Sequence, residues 1–359
     1  MRFTENYIRT REWLIQHFQS HPDMQPADFF KLLYQSAYGC EHLASDRERV
    51  TEYIKQELLH CNTEMQPPTE MLDGSYCRVG LSYIKKGLSA DTLGRIFCLS
   101  AKKEPGTGSE LEEKLSVLKS LVAEGSLPFS FVTFQSELDE WAARGYPAIH
   151  HSDAYRSKYK PCYRVVAERF VPFLPLFAEI DKHLENGSVR LAVEGGSASG
   201  KTTLSALLNE VYGCTVFHTD DFFLRAEQRT PERYNETGGN MDRERLEAEV
   251  LIPLSRGDDI AYMRFDCCEM KLLPAEKIKQ QRLTVVGGAY SMHPELSKYY
   301  DLSVFLDISP DLQRERILKR NSPAMAERFF EEWIPLENRY FNGTDAKNRC
   351  TLCIQVQNR

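Results

Sequence analysis

Long apolar runs are missing from this sequence of 359 residues. No segment approaches the roughly 18 uncharged apolar residues that a membrane-spanning helix needs. The first residues, Met1 to Asn6, contain no apolar region typical of an export signal. Internal repeats and low-complexity segments are also missing. We therefore expect a cytoplasmic protein that has no membrane partner.

An excess of positive charge is missing too, since 45 Lys and Arg residues stand against 52 Asp and Glu residues, a net charge of −7. This balance argues against a general nucleic-acid-binding role, although it leaves room for a local basic groove. The ten cysteines are scattered, so reduced and mostly buried thiols are expected. Cys350 and Cys353 form one C-x-x-C pair, too few for a four-cysteine zinc site. We expect a terminal strand over 352–356 instead.

The length and composition predict an ordinary globular protein of two domains. Residues 1–187 have the periodicity of a mainly α-helical domain of unknown function. Helices are expected near 48–59, 91–102, 109–124 and 132–143, and a long one from about Tyr163 to Leu184. Asn186-Gly187-Ser188 is the expected boundary, because glycine suits the position just past a helix. The second domain is then 188–359.

Short apolar segments alternate with amphipathic helices in the second half of the chain. Strands are expected at 189–193, 214–218, 260–264, 283–286 and 302–306, and helices near 201–211, 242–255 and 310–320. This alternation predicts an α/β fold with a parallel sheet flanked by helices. Ligands of such sheets bind beyond the carboxyl ends of the strands.

A glycine-rich segment between the first of these strands and its helix carries the most chemistry. It has the pattern G-x-x-x-x-G-K-[ST] in the strand-to-helix context that a phosphate loop requires. The backbone N–H groups of such a loop surround phosphates, Lys201 reaches the β- and γ-phosphates, and Thr202 is a ligand for Mg²⁺. ATP with Mg²⁺ is the expected cofactor. The predicted binding residues are Gly195, Gly196, Ser197, Ala198, Ser199, Gly200, Lys201, Thr202 and Thr203.

Two carboxylates follow the second strand of this half, in His218-Thr219-Asp220-Asp221. A carboxylate there would face the terminal phosphate of a bound nucleotide. Phosphoryl transfer to an alcohol needs a group that accepts the hydroxyl proton and orients the oxygen. Asp220 is the candidate for this role and for metal binding. Asp221 either binds Mg²⁺ through water or caps the following turn.

The phosphate loop followed by Asp220-Asp221-Phe222-Phe223 resembles the uridine kinase and phosphoribulokinase family of P-loop kinases, over roughly residues 189–340. The resemblance implies ATP-dependent phosphorylation of a hydroxyl on a nucleoside, such as uridine or cytidine, or on a sugar-like molecule. It also implies that Asp220 is the catalytic base. A small molecule with a hydroxyl group is thus the expected partner, and the oligomeric state stays open, with a homo-oligomer as one option.

The same resemblance suggests the acceptor site and a lid. Asp242 would bind substrate hydroxyls, although aspartate also favours helix N-caps. Arg264 would pair with an anionic substrate or with Asp266, and Tyr290 would line the acceptor site. Arg316 and Arg320 lie four residues apart on one helix, as a phosphate clamp or a solvated basic face would have them.

One position departs from the family pattern. The family has a Glu-Gly pair after the strand that corresponds to 283–286, and its glutamate helps to hold Mg²⁺, whereas this chain has Gly287. Either Asp220 and Asp221 hold the metal alone, or catalysis is impaired. The alternative function is therefore a catalytically weakened nucleotide-binding regulatory or sensor protein with a ligand-binding amino-terminal domain.

The amino-terminal half resembles no family. Cys40, Glu41, His42, His150 and His151 are metal-ligand types, but they have no H-x-x-x-H or C-x-x-C spacing, so capping and packing roles are favoured over a metal site. The basic, tyrosine-rich segment 155–164 could receive a phosphorylated small molecule or, less in keeping with the acidic chain, a nucleic-acid strand.

Overall fold

The structure is a computed structural model that describes residues 4–40, 46–61, 67–101, 108–267 and 269–358. Its contacts divide the chain into two compact units, residues 1–178 and 179–359. The division falls within a helix, and the domain boundary expected at 186–188 stays a prediction. Within the described ranges, no helix combines the length and the apolar character that crossing a bilayer requires.

The first unit is mainly helical, as predicted. Asp46 caps one helix by accepting hydrogen bonds from the N–H groups of Glu48 and Arg49. The buried Asp28 carboxylate likewise accepts the Gln25 N–H at the start of another. The helices are α1 (Glu5–Ser20), α2 (Pro26–Tyr38), α3 (Arg47–Leu58), α4 (Ser82–Lys85), α5 (Ala90–Ala101), α6 (Gly108–Ala123), α7 (Phe131–Ala143), α8 (Asp153–Tyr159) and α9 (Leu174–Glu185), which extends into the second unit.

A small antiparallel sheet in this unit was not expected from the sequence. Its strands pair in the order β1 (Thr69–Met71), β2 (Tyr76–Gly80) and β3 (Tyr163–Ala167). The prediction of one long helix from Tyr163 to Leu184 is therefore wrong for its first half. There, β3 is followed by the 3₁₀ segment Glu168–Phe173. Pro172 removes a backbone donor from an α-helix, and the β-branched pair Val165-Val166 favours a strand.

The second unit contains the predicted parallel sheet. Its strands are β4 (Val189–Gly195), β5 (Thr215–His218), β10 (Leu283–Gly287), β11 (Leu302–Asp307) and β12 (Leu352–Gln355). They lie in the order β12-β11-β4-β10-β5, and all four pairings are parallel. The expected terminal strand is β12, at one edge of the sheet.

The strand expected at 260–264 is not part of this sheet. Residues 260–262 form β6 (Ile260–Tyr262), which pairs antiparallel with β9 (Glu276–Ile278) in a separate ribbon. Ile260 and Tyr262 are buried while Ala261 is exposed, so only one face of β6 is covered. A central parallel strand would be buried on both faces. A second ribbon pairs β7 (Phe265–Asp266) with β8 (Lys271–Leu272).

Helices on the chain connections complete the unit and confirm the fold class predicted from the sequence. Two of them contain a π-helical turn, Glu247–Leu251 and Phe329–Trp333. A buried cluster that includes Phe217, Phe222, Val286 and Tyr340 packs beside the sheet. The helices are α10 (Lys201–Tyr212), α11 (Pro231–Asn235), α12 (Arg243–Leu246), α13 (Ile252–Arg256), α14 (Pro310–Arg320), α15 (Pro323–Arg328), α16 (Ile334–Thr344) and α17 (Ala346–Arg349).

Candidate active site

The phosphate loop lies between β4 and α10, at the carboxyl edge of the sheet. Gly195, Ala198 and Gly200 have φ values of +147°, +60° and +99°. A Cβ on Gly195 would meet the carbonyl oxygen of Leu306 at 2.7 Å, so this turn requires glycine. Gly200 begins α10 with no side-chain cap, which leaves the first N–H groups of the helix for an anion.

Two side chains of the loop are arranged for a phosphate chain. Lys201 lies across the loop and donates hydrogen bonds to the carbonyl oxygens of Gly195 and Gly196, at 2.8 and 2.9 Å. Ser199 is buried, and its hydroxyl has no hydrogen-bond partner among the described residues. A buried polar atom without a partner is unfavourable unless a ligand satisfies it. Both observations fit an oxygen-rich anion in the loop.

A buried acid that the sequence analysis missed also contacts the loop. The carboxylate of Glu337, on α16, accepts hydrogen bonds from the N–H and the hydroxyl of Ser197 at 2.8 and 2.7 Å. Burial raises the pKa of Glu337, as does the charge of Asp220, whereas the charge of Lys201 lowers it. The structure therefore brings Glu337, Asp220 and Lys201 together. The available sequence signal was weak: an acid three residues before Tyr340 on an otherwise apolar helix face.

The predicted catalytic acids lie on the 3₁₀ turn Thr219–Phe222, directly after β5. Asp220 is exposed, so its carboxylate is accessible to a metal ion or a substrate. Asp221 is partly buried and accepts a hydrogen bond from the Tyr262 hydroxyl at 3.1 Å. Burial raises the pKa of Asp221. Thr202 is exposed in the first turn of α10, and its hydroxyl and the Asp220 carboxylate are oxygen ligands of the kind that Mg²⁺ prefers.

Glu194 is a second buried acid next to the phosphate loop, on the face of the sheet opposite to that of a Cβ at position 287. Gly287 pairs in register with Val193, and Glu194 is the next residue of β4. The fully buried Glu194 accepts hydrogen bonds from the N–H groups of Gly195, Tyr290 and Met292 at 2.9, 3.2 and 2.9 Å. Burial raises its pKa to about 7. The sequence analysis placed this residue at the end of a strand and assigned it no role.

Packing against Ser205 favours glycine at position 287. A Cβ at this position would lie 2.7 Å from the hydroxyl oxygen of Ser205, which is buried on α10. That distance is shorter than a normal contact, so a glutamate at 287 would require Ser205 to move. Ser205 therefore occupies the space that the Cβ of a glutamate at position 287 would need.

The three residues predicted to bind the acceptor have different environments. Asp242 is buried and caps α12 by accepting the N–H of Arg245 at 3.2 Å. Arg264 pairs with Glu276 at 2.9 Å, and its pairing with Asp266 stays a prediction. Tyr290 is buried, has a φ of +72°, and its ring lies 4.8 Å from that of Tyr340. Substrate roles for these three residues stay predictions.

The two arginines predicted to form a clamp diverge. Arg316 donates hydrogen bonds to the carbonyl oxygens of Ala198, in the phosphate loop, and of Gln357, at 3.1 and 3.0 Å. The guanidinium of Arg320 lies 5.6 Å from the ring centre of Phe329. The structure thus brings Arg316 to the loop and stacks Arg320 on the adjacent helix.

The amino-terminal metal-ligand types do not assemble into a site among the described residues. Glu41 and His42 lie outside the described ranges. Cys40 is buried, and burial raises its pKa to about 12, while His150 is exposed and His151 binds Asp28 at 3.0 Å. His17, His21 and Glu70 form a group of possible metal ligands among the described residues of this unit. The Glu70 carboxylate also forms an ion pair with Arg78, at 3.0 Å.

Comparisons with known proteins give partial matches. No family model matches the chain. A bifunctional alpha-galactosidase/sucrose kinase from Mediterraneibacter gnavus is 29% identical over 167 residues, and the match takes in 39% of this chain. The chain spans only 17% of the length of that curated relative.

Two solved structures are similar to half of the chain. A possible uridine kinase from Bacillus stearothermophilus is 19% identical, with 50% of this chain and 98% of that one covered and a TM-score of 0.36. A protein from Silicibacter sp. TM1040, provisionally described as a fructose transport system kinase, is 19% identical, with 49% and 97% covered and a TM-score of 0.41. In its parallel sheet, with a phosphate loop between the first strand and its helix, the unit 179–359 has the fold of the P-loop kinases, and the predicted resemblance is confirmed at the level of fold.

Proposed function

We propose that this protein is an ATP-dependent kinase that transfers the γ-phosphoryl group to a hydroxyl of a small molecule. One observation carries the proposal: a phosphate loop, whose buried Ser199 hydroxyl has no partner among the described residues, lies at the same sheet edge as the exposed Asp220 carboxylate. Such a loop binds a triphosphate, and a carboxylate beside it orients an alcohol for in-line attack.

Each residue has a role in this proposal. The N–H groups at the start of α10 and the ammonium of Lys201 bind the phosphates. Thr202 and Asp220 would hold Mg²⁺, and Asp221 would bind it through water. The metal neutralises charge on the phosphate oxygens when it is bound. Asp220 also accepts the hydroxyl proton, and Arg316, which already contacts Ala198, stabilises charge at the loop.

The chemical class of the acceptor is the most specific part of the proposal, and it rests on the resemblance to the uridine kinase and phosphoribulokinase family. A nucleoside such as uridine or cytidine and a sugar-like molecule are both candidates. Because the chain is similar to a bifunctional alpha-galactosidase/sucrose kinase, sugars should be tested as acceptors alongside nucleosides. Asp242, Arg264 and Tyr290 are the residues that we expect near the acceptor.

The test is a coupled assay for ADP formation with Mg²⁺-ATP and a panel of nucleosides, sugars and other alcohols. We expect one acceptor class to raise ADP formation well above hydrolysis, and its phosphorylated product to be detected by mass spectrometry. Lys201→Met should abolish ATP binding and transfer. Lys298→Met is the matched control, since Lys298 pairs with Glu247 on an exposed surface.

A second variant separates binding from catalysis. Asp220→Asn should keep binding a non-hydrolysable ATP analogue and reduce transfer by roughly 10²- to 10⁴-fold, the usual contribution of a general base. Tight binding by the parent protein without transfer to any acceptor would instead favour the nucleotide-binding sensor. The observation that supports the sensor function is the absence of a carboxylate at position 287.

A further inference from the structure

A cavity of about 600 Å³ lies within the first unit. Its volume is in the range of roughly 300–1,000 Å³ that small-molecule sites occupy. Its walls come from α2, α3 and α5 and from β3 with the segment before it. The residues that line it and enter the argument are Lys31, Val50, Glu57, Phe97, His151 and Arg164.

The lining is mainly apolar, as in most small-molecule sites. Val50 and Phe97 are buried in the wall. The cavity also unites the two amino-terminal segments that the sequence analysis singled out, because Gly39 and Cys40 line it on one side and His151, Tyr163 and Arg164 on the other. The metal-ligand types among their described residues do not cluster.

A hydrogen-bond network around the buried Asp28 carboxylate lies beside one part of the wall. His151 lies between the Asp28 carboxylate, 3.0 Å from Nδ1, and the Tyr163 hydroxyl, 2.7 Å from Nε2. Burial lowers the pKa of His151 to about 4, so the imidazole is uncharged at neutral pH. Asp28 also accepts the N–H and the hydroxyl of Ser152 at 2.9 and 2.6 Å. This network is satisfied and preorganised, and it presents no positive charge.

Lys31 is a cavity-lining cation that forms no ion pair with any residue the structure describes. Its ammonium donates a hydrogen bond to the carbonyl oxygen of Ile149 at 3.0 Å, and no described carboxylate lies within ion-pair distance of it. Glu57, the acid in the wall, is paired with Arg164 at 2.8 Å. Burial, together with the charge of Arg78, lowers the pKa of Lys31 to about 8, and the charge of Asp28 offsets part of this shift. A cation held in mainly apolar surroundings is stabilised by an anionic partner.

We propose that this cavity binds a small organic anion with an apolar or aromatic body, whose carboxylate or phosphate group pairs with Lys31. The apolar wall around Val50 and Phe97 takes the body of the ligand, and the free positive charge takes its anionic group. The proposal does not depend on the kinase activity, because every residue in it belongs to the first unit.

The probe for a first test is anilinonaphthalene sulfonate, an aromatic monoanion that fluoresces in apolar sites. Its neutral counterpart, anilinonaphthalene, has the same body without the charge. We expect the full-length protein to bind the sulfonate roughly tenfold to hundredfold more tightly than the neutral compound, as a charge-assisted hydrogen bond in an apolar site predicts. Lys31→Met should remove this preference and leave binding of the neutral compound unchanged.

Lys119→Met, at an exposed position of the same unit, is the matched control and should keep the preference. Equal affinities of the two probes for the parent protein, or an unchanged preference in a folded Lys31→Met variant, would overturn the proposal. So would displacement of the sulfonate by ADP, which would place the probe at the phosphate loop.

A competition measurement on the parent protein decides the case if the Lys31→Met variant does not fold. Benzoate and phenyl phosphate should displace the sulfonate, whereas benzamide, which has nearly the shape of benzoate without its charge, should not. Equal displacement by benzoate and benzamide would contradict a charge-selective site. The relative strengths of benzoate and phenyl phosphate then distinguish a carboxylate ligand from a phosphorylated one.

Discussion

Glu194 and Glu337 are two buried acids at one phosphate loop, and they act on it differently. Glu194 accepts hydrogen bonds from backbone N–H groups of the loop and of the turn after β10. Glu337 accepts the N–H and the hydroxyl of Ser197. Both lie at the loop that we propose binds a triphosphate, so their protonation should matter for stability and for binding.

Glu194 should make the stability of the protein depend on pH. Its pKa is raised to about 7 by burial, above the unfolded value near 4.5, so the folded state holds the proton more tightly than the unfolded state. The unfolding free energy should therefore fall by up to about 3 kcal/mol as the pH rises from 4.5 to 7, and level off above that. Urea unfolding at closely spaced pH values measures this slope.

Glu194→Gln removes the titrating group and keeps an oxygen acceptor for the N–H groups. The variant should lose the fall in stability between pH 4.5 and 7. Glu232→Gln, at an exposed acid, is the control and should keep it. An unchanged slope in Glu194→Gln would show that another group titrates.

Glu337 should weaken nucleotide binding through its charge. Glu337→Gln keeps an acceptor for Ser197 and removes a negative charge beside the phosphates, so the Kd of an ATP analogue should fall by roughly threefold to tenfold. Isothermal titration calorimetry measures this change. Glu332→Gln, an exposed acid of the preceding π-helical turn, should leave the Kd unchanged. Weaker binding by Glu337→Gln would mean that the carboxylate supports the loop more than it repels the ligand.

Restoring the family acid at position 287 should require a second change. Gly287→Glu alone places its Cβ against the Ser205 hydroxyl and should destabilise the protein by about 1–3 kcal/mol, the usual range for overpacking. Gly287→Glu with Ser205→Ala should regain much of this loss and change the dependence of activity on Mg²⁺ concentration. Thermal melts with a Mg²⁺ titration of the transfer rate check both parts. Equal stability of the single and the double variant would contradict the packing argument.

At the scale of the element, α12 shows how one residue can be assigned two functions from sequence. Asp242 was expected either to bind substrate hydroxyls or to cap a helix, and the structure shows the cap. Its other carboxylate oxygen accepts a hydrogen bond from Gln228 at 3.0 Å. A buried carboxylate with these partners is committed to local structure, whether or not a substrate also contacts it.

Variants of Asp242 separate the two roles. Asp242→Ala should lower the unfolding free energy by about 1–2 kcal/mol through loss of the cap, whereas Asp242→Asn should lower it by less than half of that because asparagine also caps helices. Chemical denaturation measures the difference. If Asp242 also binds the acceptor, Asp242→Asn raises the KM for the acceptor and leaves the KM for ATP unchanged. An equal loss of stability in both variants would argue against the cap.

Elements with a strong local signal were predicted well, and those set by distant partners were not. The strands at 189–193 and 302–306 are apolar at every position except Arg190 and Ser303, and α10 follows a glycine-rich turn. In contrast, Tyr163–Ala167 was assigned to a helix, because its apolar spacing fits either period until β2 is known to lie beside it. Ile260–Tyr262 was assigned to the sheet, although its partner is β9, which no local pattern marks.

At the scale of the whole molecule, a nucleotide should protect one unit selectively. Binding of an ATP analogue with Mg²⁺ should slow hydrogen exchange in the phosphate loop and in the first turns of α10, because the ligand must leave before these N–H groups open. We expect no comparable change in α2 and α3 of the first unit. Mass spectrometry of peptides from the exchanged full-length protein measures this. Lys201→Met is the control and should show no protection.

The sequence by itself determined the phosphate loop, the acids that follow the second strand and the parallel α/β class, because each depends on residues that are neighbours in the chain. Only the tertiary structure decided that Glu194 and Glu337 reach the loop, that Ser205 restricts position 287, and that Lys31 lines a mainly apolar cavity where no described carboxylate pairs with it. These features join residues far apart in sequence. Their energies come from burial and close approach, which a linear pattern does not contain.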